Sequence, residues 1–115
     1  MKILYKNRKV EEQFNPLYKG KWRYLKQVIL KLIDTANLIE SIDAFYDISM
    51  YPAFHLEKLK GNRKDEWSIR LGNTEYRVTL IPCDEKGILL IDGDILARCK
   101  TIKIIMITEA SNSYE

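Results

Sequence analysis

One histidine and two cysteines are all the chain has of the residues that most often ligate transition metals. His55 stands alone, and Cys83 and Cys99 have no partner set at ligand spacing, so no zinc or other metal site is expected. The same spacing argues little for a disulfide. Two partly buried thiols in a reducing cytoplasm are the expectation. Long apolar runs are lacking as well. The longest, IKIIMI and GILLI, are strand-sized, and MKILYKNRKV contains no stretch of secretory-signal length. Neither a leader nor a membrane span is therefore expected. Repeats, linkers and low-complexity segments are missing too. With 46% hydrophobic and 30% charged residues, a packed single domain over residues 1–115 is expected.

The net charge of +3 is too small to point to nucleic acid, but its distribution is uneven. Residues 1–31 hold nine basic side chains against Glu11 and Glu12, whereas residues 32–54 hold four acids and no base. Residues 58–77 turn basic again. Clustering of this kind is the footprint of a polyanion partner, although a solvated lysine-rich helix face is the better explanation of the N-terminal cluster.

The first half reads as strand and helices. Lys2–Tyr5 is an opening strand, and Val10 and Phe14 mark a short helix over residues 8–14. Asn15-Pro16 punctuates it and suits the start of a longer helix over residues 17–33, with Trp22, Leu25, Ile29 and Leu32 on one stripe. Asp34-Thr35 is expected to cap a third helix in which Leu38, Ile42 and Phe45 share a face. Tyr51-Pro52 closes the helical half.

The second half changes period. Residues 54–59 predict a strand, with a bulge. Trp67, Ile69 and Leu71 alternate with Ser68 and Arg70, and Tyr76, Val78 and Leu80 alternate with Arg77 and Thr79. Gly72-Asn73 joins them as a hairpin. Asp94 is placed to cap a short helix reaching Cys99, and residues 101–108 predict a strand covered on both sides. The fold class is α+β: a short N-terminal strand and two to three helices packed on a mainly antiparallel sheet.

If Trp67, Ile69 and Leu71 face the core, Arg70 and Arg77 face away from it, and Lys58 and Lys60 bracket Leu59. Cations on rigid strands suit phosphate, which arginine grips in a bidentate fashion. They also suit phosphodiester cleavage, where charge develops on a phosphorane and a proton must move. On periodicity alone, a wet sheet face that happens to be basic is the better explanation.

The segment LEKLKGNRKDEWSIRLGNTEYRV resembles the central motif of the RelE/HigB family of bacterial toxins. Leu56, Leu59, Lys60 and Gly61 match its L-x-x-L-K-G strand. Arg63 and Lys64 match its basic turn, Trp67 to Arg70 its W-S-I-R, and Tyr76 with Arg77 its aromatic–arginine pair. LYKNRKVEEQF and KIIMITEASNSYE resemble the family's opening strand–helix and its last strand with aromatic tail. The resemblance implies a RelE-like fold and a toxin that cuts translated mRNA in the ribosomal A site, an mRNA interferase. It further implies a cognate helix-turn-helix, HigA-like antitoxin, with operator DNA bound only through that partner, and no membrane.

By the same resemblance Lys60 would contact the scissile phosphate or stabilise the attacking oxygen, Arg77 would stabilise the phosphorane, and Tyr114 would stack on a base or help move a proton. Lys58, Arg63, Lys64 and Arg70 would bind RNA. The nucleophile would be the RNA 2′-hydroxyl, with no cofactor or metal. Where family members often carry histidine this chain has Glu57, and His55 lies two positions earlier. Glu57, Glu109, His55 and Tyr114 are therefore the candidates for proton transfer. A toxin of the same fold that acts by binding, for example on DNA gyrase, is the alternative.

Overall fold

A computed structural model describes residues 1–15, 26–63, 65–90 and 95–112. Strand β1 is Lys2–Tyr5, and helix α1 is Arg8–Gln13. The Asn7 side chain accepts a hydrogen bond from the Val10 N–H at 2.9 Å, which satisfies one of the free donors of the first turn. Phe14 closes the helix, is buried, and packs its ring 5.4 Å from that of Tyr5.

Helix α2 is Lys26–Ser41, without the expected break at Asp34-Thr35. Val28, Leu32, Ala36 and Ile39 form a buried stripe at three- and four-residue steps, and Thr35 lies within it. Capping propensity is a local preference, whereas a continuous apolar stripe is held by the whole core, so the stripe prevails. The expected start at residue 17, with Trp22 and Leu25, lies outside the described residues. Helix α3 is Phe45–Ser49, and Asp47 begins it by accepting from the Ala44 N–H at 3.2 Å. Phe45 and Ile42 are buried, but Leu38 is 38% exposed and does not share their face.

The strand expected over residues 54–59 shrinks to β2, Glu57–Lys58. A 3₁₀ turn at Pro52–Phe54 buries Phe54, and His55 then takes a left-handed conformation at φ 45°. An extended run through His55 is thereby broken. Strands β3, Trp67–Arg70, and β4, Tyr76–Cys83, form the hairpin. Gly72, at φ 56°, provides the left-handed first corner of the turn closed by the Thr74 N–H to Leu71 carbonyl bond of 3.1 Å. A short helix α4, Ile95–Arg98, precedes β5, Ile104–Asn112, which starts and ends later than residues 101–108.

The described strands make a sheet in the order β1-β5-β4-β3-β2, parallel only between β1 and β5. The α+β, mainly antiparallel architecture is as expected. Helices cover one face, where Ile69, Val78, Leu80, Ile105 and Ile107 meet Leu32, Ile39, Phe45 and Ile48. Phe45 and Trp67 contact edge to face, with ring centroids 5.3 Å apart. Among the described residues no helix is long and apolar enough to cross a membrane.

Cys83 and Cys99 are not joined in a disulfide, and both are buried rather than partly so. Burial, and then the nearby Asp84 carboxylate, push the Cys83 thiol up to about 11. Native protein is expected to resist iodoacetamide at mildly alkaline pH and to take up label at both cysteines in denaturant. Fast labelling of the native chain would show that the core opens around them.

Candidate functional site

The second sheet face, away from the helices, is expected from the alternation to be wet and cationic. It is instead an interleaved network of both signs. Ser68 and Thr79 are only 1% and 4% exposed, so the polar residues of the hairpin lie beneath a cover. Cross-strand pairing sets one row in order: Glu57 on β2, Ser68 on β3, Thr79 on β4 and Glu109 on β5. The next row holds Arg70, Arg77 and Ser111. Lys58 pairs with Trp67 and so belongs to the opposite side, which corrects the expectation that it joins the arginines.

The cover is the Gly61–Arg63 turn. Arg63 donates through Nε to Glu66 Oε2 at 2.7 Å, and through Nη2 to Glu66 Oε1 at 3.1 Å. The same Nη2 reaches Glu109 Oε2 at 3.0 Å and Thr79 Oγ1 at 3.3 Å. Thr108 Oγ1 donates to Glu66 at 2.7 Å and shares a 2.9 Å hydrogen bond with Thr79. A β-bulge between β4 and β5 makes this reach possible: Thr79 pairs with Glu109 and Leu80 with Ile107, leaving Thr108 as the extra residue. Thr108 then reaches Glu66 while Glu109 reaches Arg63.

Arg63, expected to bind RNA, is therefore committed to carboxylates. Hydrogen bonding to Glu66 raises its pKa, and the Arg63 hydrogen bonds hold the Glu66 carboxyl below its usual range against the opposing effect of burial. A carboxylate with a depressed pKa stabilises the fold above its unfolded value, and that contribution disappears as pH falls through the folded value. Thermal stability is thus expected to drop on acidification below the usual carboxylate range. Glu66→Gln should flatten that part of the profile; an unchanged slope would show the network contributes nothing.

Arg77 is held more loosely. Its Nη1 donates to Ser68 Oγ at 3.0 Å and lies 3.6 Å from Glu57 Oε2. The Glu57 side chain is 63% exposed, and ion pairs this open are worth about 0–1 kcal/mol, so an incoming phosphate can replace the carboxylate at small cost. Arg70, directly across from Arg77, is exposed. Like charges directly opposite on paired strands disfavour the fold unless an anion lies over them.

Of the sequence-predicted residues, Glu57, Arg70 and Arg77 come together, and Arg63 and Glu109 form the adjoining network. Lys60 is exposed where the chain enters the covering turn. His55 is exposed beyond β2, off the hairpin. Lys64 and Tyr114 lie outside the described residues. Glu66 and Thr108, central to the network, were missed by sequence reasoning; a polar residue in a largely apolar strand was the available signal for Thr108. Among the described residues no three His, Cys, Asp or Glu side chains gather as a metal-holding group. No protein-family model matches the chain, and no curated protein matches it significantly.

Proposed function

We propose that the chain is a cytoplasmic toxin of the RelE/HigB type, a ribosome-dependent endoribonuclease that cuts translated mRNA and is held inactive by a helix-turn-helix antitoxin. The observation that carries this reading is the Arg70–Arg77 pair: two guanidiniums directly opposed on a rigid hairpin, with Glu57 beside Arg77. The motif resemblance over residues 56–78 and the α+β architecture support it. In the proposed reaction the RNA 2′-hydroxyl attacks the adjacent phosphorus, the bond to the 5′-oxygen breaks, that oxygen takes a proton from water to leave as a 5′-hydroxyl, and a 2′,3′-cyclic phosphate forms. Arg77 stabilises the phosphorane, Arg70 holds the neighbouring backbone, and Glu57 accepts the 2′-hydroxyl proton. Lys60 adds positive charge at the turn.

A second function, inhibition by binding a target such as DNA gyrase, is favoured by one feature. The sole imidazole, His55, stands off the arginine face rather than among the groups that would move protons. Inducing the chain in a bacterium and mapping mRNA 5′ ends separates the two. New ends within translated transcripts are expected; growth arrest with DNA-break signalling and no new ends would reject the nuclease.

A further inference from the structure

Beneath the Gly61–Arg63 turn the network face opens into a cleft of about 310 Å³. Small-ligand pockets run from about 300 to 1,000 Å³, so the cleft suits a small occupant. Its floor is apolar, formed by Ile81, Leu89 and Met106. One wall is Arg63, Glu66 and Thr108, whose polar atoms are engaged with one another. The remaining lining is different in kind. The side chains of Lys6, Asn62 and Asp65 have no hydrogen bond or ion pair to any described residue. Lys6 lies near enough for its charge to help lower the Glu66 pKa.

An apolar floor with one uncommitted carboxylate, one amide and one cation is a poor match for bare phosphate, which Asp65 would repel. It matches a flat heterocycle that offers N–H groups and carries phosphate at one end. We propose that the cleft takes a guanine base of the RNA substrate, an inference that rests on the nuclease function above. Guanine presents N1–H and N2–H₂ side by side, and a carboxylate presents two acceptors at matching spacing. Asp65 receives both, the Asn62 amide donates to O6, the ring lies on Met106 and Ile81, and Lys6 meets the phosphate. Adenine and uracil lack the paired donors. Cytosine offers a single amino group beside an acceptor nitrogen, which faces the carboxylate unfavourably.

The cleft and the arginine pair share one continuous surface. Thr79 bonds to Arg63 in the cleft wall and is the cross-strand neighbour of Ser68, which holds Arg77. An RNA strand gripped by Arg70 and Arg77 can therefore place a nearby base over the apolar floor.

The test is an NMR titration of the full chain with GMP, AMP, CMP and UMP, run beside the mapping of mRNA ends. GMP is expected to bind most tightly, with amide shifts centred on Asn62, Asp65 and Met106. Asp65→Asn should weaken GMP by about tenfold or more and leave AMP unchanged. The same variant should still cut mRNA but lose a preference for guanine near the cut. Equal binding of the four nucleotides, binding of none, or an Asp65→Asn variant identical to the parent would overturn the assignment. Selective GMP binding without mRNA cleavage would keep the cleft and reject the nuclease. Cleavage with no guanine preference in the parent chain would keep the nuclease and reject the cleft.

Discussion

Arg77→Ala is expected to slow mRNA cutting on programmed ribosomes by about 10²–10³-fold, the usual loss when one preorganised group facing developing charge is removed. Arg77 sits on β4 with its guanidinium anchored by Ser68, so its charge is positioned before substrate arrives. Displacing Glu57 from it costs little because that carboxylate is mostly exposed. Fold stability should barely change, which urea denaturation of the variant checks directly. Arg77→Lys should recover part of the rate, since it restores charge but not the fork that grips two phosphate oxygens. A fully active Arg77→Ala variant would remove Arg77 from the chemistry and with it the central support for the nuclease.

Arg63 provides the contrast. It makes two hydrogen bonds to Glu66, whose side chain is only 17% exposed, and a third to Glu109. Freeing this arginine for RNA would leave a largely covered carboxylate without its partner, a penalty of about 1–3 kcal/mol or more for a charged group. The two arginines therefore differ in commitment: Arg77 is open to an incoming anion, and Arg63 holds the covering turn to the sheet.

The largest stability effect is expected at Trp67. Trp67→Ala should cost about 3–5 kcal/mol, read as a lower urea midpoint at an unchanged slope. The ring is 7% exposed, lies on β3 in the helix-facing core, and meets Phe45 edge to face. Its removal leaves a cavity between the hairpin and α3 that the packed neighbours cannot fill. Since the stability of a whole domain is about 5–15 kcal/mol, such a loss takes a large share of the total. Trp67→Phe should retain most of it. A cost below about 1 kcal/mol for the alanine variant would mean that the hairpin and helices are not docked through this contact.

Much was determined by the sequence alone because local rules sufficed. β1 at Lys2–Tyr5, the start of α1 at Arg8 and the hairpin around Gly72-Asn73 follow from period, capping and turn chemistry within a few residues. The same alternation correctly put Trp67 and Ile69 in the core and Arg70 outside it. Where tertiary forces compete with local ones, the tertiary forces prevail. α2 runs through Asp34-Thr35 because a buried stripe crosses it, and β2 is short because burying Phe54 turns the chain at His55. The arginine-bearing face was legible as a set of residues but not as an environment. Whether each cation is free or committed depends on carboxylates brought by long-range pairing and by a bulge. Glu109 reaches Arg63 from 46 positions away, and Thr108 reaches Glu66 from 42. Periodicity assigns a side chain to a face, but only the register of distant strands decides what it meets there.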